Sequence, residues 1–170
     1  MMIDIDVFKQ KVWRNSALSK REIKAILEEC FLQTNTVAKN VFLNVSFVDS
    51  KTITEYNLKY FCKNSITNVL SFENKDLQGN IVDKNCKNCK TDINEHLFLG
   101  DIVLCYEKIK DEAHEYNKRF EDRLYHLFVH GVLHLLGYNH IKNAERKRME
   151  LLETKILLRF NIKYPFLYEK

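Results

Sequence analysis

The sequence predicts an α+β domain built on one sheet covered by helices. Three features carry the prediction. Apolar patterns run in the order strand, helix, strand, helix, strand, strand, and helical spacing then fills most of the chain after residue 105. The most apolar segment, 97–105, has the composition of a strand in the middle of a sheet. Glycine and proline are scarce, 4 and 1 in 170 residues, and no linker or repeat interrupts the chain, so 1–170 reads as a single domain.

Each element has its own signal. Residues 2–8 alternate Ile3, Ile5 and Val7 against Met2, Asp4 and Asp6, as in a half-buried strand. Ser19 and Glu22 form a capping box, followed by Ile23, Ile26, Leu27, Cys30 and Phe31 at helical spacing to about residue 33. Residues 41–48 read as a strand. A helix is expected over 51–61, with Thr52 and Glu55 as its capping pair, and a short strand over 68–72. Residues 73–95 are polar and read as a long loop, with a small hairpin around Ile81 and Val82. Helices follow over about 106–117, 121–136 and 143–160. The last places Met149, Leu152, Ile156 and Leu157 on its apolar side and Arg146, Lys147, Glu150 and Glu153 elsewhere.

Composition excludes some classes. No run approaches the roughly 18 apolar residues of a membrane span. The start of the chain lacks the basic and apolar stretches of a signal peptide. Five cysteines without framework spacing fit a reduced, cytoplasmic protein. Cys86 and Cys89 make a lone C-x-x-C, read as incidental; Cys30 and Cys105 occupy apolar positions and are expected to be inert. A net charge of +4 permits a polyanionic partner without requiring one.

The chemistry concentrates in His130–Gly131–Val132–Leu133–His134–Leu135–Leu136–Gly137–Tyr138–Asn139–His140. His130 and His134 lie one helical turn apart on one face. Gly137 can end the helix in a left-handed conformation, and the chain can then bring His140 back over the first two. Three neutral imidazoles converging in this way suit a divalent metal with a free coordination position. His126, one turn earlier, reads as an ordinary surface residue, with a fourth ligand or a donor behind the ligands as alternatives; His96 and His114 read as non-ligands. The spacing matches that of metzincin proteases, but their general base, a glutamate directly after the first histidine, is replaced by Gly131, which cannot accept a proton.

The histidine block closely resembles the H-G-x-L-H-L-x-G-Y-D-H signature of the YbeY family of bacterial endoribonucleases. Asn57–Leu58–Lys59–Tyr60 with Thr67–Asn68–Val69–Leu70–Ser71–Phe72, and Leu99–Gly100–Asp101–Ile102, resemble two further family blocks in the same order, so the likeness spans residues 57–140. It implies an α+β fold on a four-stranded mixed sheet. It also implies a zinc ion on His130, His134 and His140. The implied activity is cleavage of single-stranded RNA, in maturing the 3′ end of small-subunit ribosomal RNA and in ribosome quality control, with the small subunit as partner and no role for DNA or membrane. Three residues depart from the pattern: Phe61 stands where the family has arginine, Asn139 where it has aspartate, and Ile66 where it has proline. Lys59 and Lys63 flank Phe61 and can supply charge, though not the bidentate fork of arginine. Asp101 is the candidate general base if its end of the strand reaches the metal; otherwise it caps backbone or orients a histidine. Tyr138 is expected to border the pocket, Cys62 to lie near it, and Phe128 to pack in the core. The competing function is a ribosome-assembly factor that binds RNA through a structural metal with little or no cleavage. A metal hydrolase of another class is the third reading, opposed by Gly131.

Overall fold

The computed structural model describes residues 1–74 and 96–163. They form β1 (Met2–Lys9), a 3-10 turn (Lys11–Trp13), α1 (Lys20–Gln33), β2 (Asn40–Val48), α2 (Ser50–Phe61), β3 (Val69–Glu73), β4 (His96–Cys105), α3 (Tyr106–Glu115), α4 (Phe120–Leu135) and α5 (Asn143–Leu158). The four strands make one mixed sheet in the order β1-β2-β4-β3. β1 and β4 both run parallel to β2, and β3 closes the edge antiparallel to β4. The α+β prediction and the central position of β4 are therefore observed. Beyond Asn74, the expected loop, its hairpin and the Cys86–Cys89 pair lie outside the described residues.

Helix starts follow local chemistry. The Ser19 hydroxyl accepts from Glu22 N at 3.3 Å while the Glu22 carboxylate accepts from Ser19 N at 2.8 Å, the box the sequence predicts. α2 starts one residue earlier than expected, and Thr52–Glu55 is not its cap. Asp49 caps it, accepting from Thr52 N at 2.8 Å. A carboxylate at this position satisfies a free amide and also favours the positive helix end. The Thr52 hydroxyl accepts instead from Gln10 Nε2 at 2.9 Å.

The sheet buries two unequal faces. Ile5, Val41, Leu43, Val45 and Phe47 join Leu97, Leu99, Ile102 and Leu104 under α1, α4 and α5 in the main core. Val48, Leu70, Val103 and Cys105 form a smaller core with Ile53 of α2 on the other face. Trp13, fully buried, seats its ring edge-on to Phe47 and donates to the Val48 carbonyl at 2.9 Å. Burial pushes the Cys105 thiol up to about 11, in keeping with an inert core residue.

Leu97 and Leu99 could not share a face with Ile102 and Leu104 in a regular strand, where faces alternate. A bulge resolves the conflict: Phe42 pairs with Phe98 and Leu43 with Gly100, so β4 gains one residue and switches phase. Gly100 takes φ +131°, and a Cβ there would strike the Phe72 carbonyl oxygen. Gly100→Ala is expected to lower stability by about 3 kcal/mol, through backbone strain and this collision. Urea unfolding measures it; an unchanged midpoint would contradict the bulge.

Candidate metal centre

α4 lies against β3 and β4, and Gly131 sets the approach. A Cβ on Gly131 would sit 3.1 Å from Ser71 Oγ and 3.4 Å from Ile102 Cδ1. Position 131 therefore faces the sheet, and a protease-like glutamate would meet strands rather than a reacting water. The helix ends as Gly137 predicts. Gly137 has φ +85°, its N–H donates to the His134 carbonyl at 2.9 Å, and Tyr138 N–H donates to the Leu133 carbonyl at 3.0 Å. These two bonds are the Schellman pattern. They turn the chain so that His140 returns to His130 and His134.

The three rings converge. One nitrogen from each lies within 4.8 Å of the others. Ring centroids are 4.5 Å apart for His130 and His134, 5.3 Å for His130 and His140, and 5.1 Å for His134 and His140. The Nε2 atoms of His130 and His134 face each other at 3.0 Å. Burial, then the neighbouring His130 and His140 rings, push His134 down to about 4, so it is neutral at ordinary pH and its lone pair is free to bind. Facing lone pairs repel unless a proton or a cation lies between them. The donor set and its arrangement fit a divalent ion of the zinc type.

Behind this trio sits a residue that the sequence reading placed on the wrong side. Glu153, 2 % exposed, belongs to the buried stripe of α5 with Met149, Ile156 and Leu157. Its Oε1 is 2.7 Å from His130 Nδ1 and its Oε2 is 3.1 Å from His126 Nε2. Burial alone would raise its pKa; the bonds from His126 and His130 more than reverse this and bring it to about 2. A carboxylate on the rear nitrogen of a ligand histidine is the usual support of a metal site. His126 is likewise no surface residue: it is 4 % exposed and packed behind the trio. The available signal was a charge three or four residues from Met149, Ile156 and Leu157, on the face that must be buried.

Two clefts meet at the histidines. One is lined by Thr67, Asn68, Ser71, Glu73, His134 and Asn139, the other by Arg123, Arg146, Met149, Glu150 and His140, and both share Asn68 and His130. Tyr138 borders neither: it packs on the main core with Arg148 over its ring, and Asn139 takes the place expected for it. Asp101 is not brought to the histidines. It lies on the opposite face of the sheet, beside Phe72 and Val103, where it accepts from Asn44 Nδ2 at 2.9 Å. Lys59 and Lys63 line neither cleft; both are exposed, with Lys59 Nζ 5.1 Å over the Tyr60 ring. Phe61 stacks on Phe72, and Cys62 is the exposed left-handed cap of α2.

Glu153→Gln removes the charge but keeps the shape. It is expected to weaken zinc binding about 10- to 100-fold by isothermal titration. The depressed pKa also fixes a sign: the carboxylate stabilises the fold above pH 4.5, and that contribution is lost as pH falls from 4.5 towards 2, because only the unfolded chain takes up the proton there. The metal-free protein's urea midpoint should fall across this window, and Glu153→Gln should flatten the fall. Wild-type zinc affinity in the variant would remove Glu153 from the site.

The family described as Endoribonuclease YbeY matches residues 5–161. A relative named Endoribonuclease YbeY from Buchnera aphidicola subsp. Schizaphis graminum is 39 % identical over 144 residues, covering 84 % of this chain and 82 % of its own. One of the same name from Bartonella quintana is 35 % identical over 170 residues, covering 97 % and 98 %. The solution structure of TM1509 from Thermotoga maritima superposes with a TM-score of 0.56 at 20 % identity, over 93 % of this chain and 92 % of that one, a likeness of fold. The chain belongs to the Endoribonuclease YbeY family.

Proposed function

We propose that this protein is an RNA endonuclease of ribosomal RNA processing. More finely, it cuts single-stranded RNA with the help of one zinc ion held by His130, His134 and His140. Its place is in maturing the 3′ end of small-subunit ribosomal RNA and in ribosome quality control, in the cytoplasm, as a single domain working with the small subunit. The observation that carries the reading is the convergence of three imidazoles, one backed by a buried carboxylate, where two open clefts meet. The names of the relatives supply the substrate class.

A divalent ion on this trio would supply Lewis acidity towards a phosphoryl oxygen and acidify a nearby water. The chain's own residues do the rest. Neutral His134 offers a lone pair rather than a proton. Glu153 holds the His130 ring in position. Arg146, in the cleft beside His140, presents a guanidinium suited to a backbone phosphate. On the other side, Thr67, Asn68 and Ser71 give a polar floor along the strand edge. Lys59 and Lys63 are assigned to more distant phosphates rather than to proton transfer. Asp101, held by Asn44 on the far face, is assigned no proton transfer either.

The second reading, an assembly factor with a structural metal, is favoured by Phe61, whose ring lies against Phe72 at 5.7 Å where the family has arginine. His134→Ala is expected to lose bound zinc and to cut single-stranded RNA more than about 100-fold more slowly, as removal of a primary catalytic element does. Retention of both zinc and cleavage would overturn the proposal. Wild-type protein that binds zinc, is free of trace nucleases and yet leaves RNA intact would establish the second reading.

A further inference from the structure

Behind the histidine trio a chain of buried polar side chains runs on beyond Glu153. The Glu112 carboxylate receives Asn68 Nδ2, 3.1 Å from both oxygens, and Arg123 through Nε at 3.1 Å and a terminal nitrogen at 2.9 Å. The other terminal nitrogen of Arg123 lies 3.1 Å from His126 Nδ1. His126 Nε2 meets Glu153 Oε2, and Glu153 Oε1 meets His130 Nδ1. Glu112, Arg123, His126 and Glu153 are each no more than 5 % exposed, so water cannot relieve a mismatched bond.

The direction of every bond follows from two groups: Arg123, which can only donate, and the Glu153 carboxylate, which can only accept. A guanidinium has donors only. His126 Nδ1 must therefore accept, and the proton of that ring sits on Nε2, from which it donates to Glu153. The carboxylate is left to accept from His130 with its other oxygen. His130 then carries its proton on Nδ1 and its lone pair on Nε2, the atom that faces His134. Reversing the His126 ring would set its Nδ1–H against an Arg123 N–H and its Nε2 lone pair against Glu153 Oε2.

We propose that Arg123 is a positioning residue of the metal centre: anchored by Glu112, it fixes the tautomer in which His126 donates to Glu153, and so keeps that carboxylate turned to accept from His130 Nδ1, which leaves the His130 Nε2 lone pair towards the ion. The inference rests on the metal-binding reading of the trio. Asn68 adds reach, since it lines both clefts and holds the Glu112 end of the chain.

The test reads the tautomers directly. In metal-free wild-type protein, long-range nitrogen-proton correlation spectra should show His126 protonated on Nε2 and His130 on Nδ1. A proton on His126 Nδ1 would overturn the proposal. Zinc affinity, by chelator competition, gives the second readout. Arg123→Lys keeps an obligatory donor and should stay within about threefold of wild type. Replacing both partners of the buried ion pair, Glu112→Met with Arg123→Met, leaves no buried charge unpaired, since Lys108, 3.7 Å from Glu112, is itself exposed to water, and should weaken zinc about 10- to 100-fold. If that double variant does not fold, Glu112→Gln, which removes the anchor's charge and leaves one carbonyl oxygen to accept from Arg123, should still weaken zinc at least threefold. Wild-type affinity in the folded double variant, or in Glu112→Gln where that replaces it, would overturn the proposal. Wild-type protein without zinc affinity would instead overturn the metal-binding reading, whatever the tautomers.

Discussion

A carboxylate buried between two helices governs the rest of this site. Glu153 has lost nearly all contact with water, and an ion so placed is tolerated only when donors meet it. His126 and His130, one turn apart on α4, meet its two oxygens. The same bonds join α5 to α4 and orient the first histidine of the trio. Apolar residues at 153 and at both histidines it meets would pack the helices as well or better, because buried ion pairs add little net stability. The carboxylate is therefore best understood as serving the geometry of the site.

The second constraint is close approach. α4 reaches the sheet edge because position 131 has no side chain, and β4 changes phase because position 100 has none. Together they place His130 and His134 beside Ser71 and Asn68 of the edge segment. The edge strand then separates two surfaces. Towards α4 it presents the polar floor of a cleft. Away from it, Phe72 carries the rings of Tyr60 and Phe61, at 5.0 Å and 5.7 Å. Phe61 sits on that outer surface, in an aromatic cluster, and lines neither of the clefts that meet at the histidine trio.

The strands, the helices and the trio were legible because each rests on a local pattern: alternation in β1, the Ser19 box before α1, and imidazoles one turn apart before a helix-ending glycine. What sequence reasoning missed depends on distant partners. Glu153 and His126 look like solvated charge on their own helices, and only the docking of α5 on α4 turns them inward. Asp101 lies in the middle of β4, where the Gly100 bulge fixes its face and pairing with β2 gives it Asn44. The Thr52–Glu55 pair failed for a simpler reason: Asp49, three residues before Thr52, is the better cap.

Three imidazoles that hold one ion and leave room beside it have a signature in X-ray absorption at the zinc edge of the loaded protein. Three nitrogen neighbours are expected at about 2.0–2.1 Å, together with light-atom neighbours that change when phosphate is added. A closed shell of four protein ligands, or any sulfur neighbour, would contradict that arrangement.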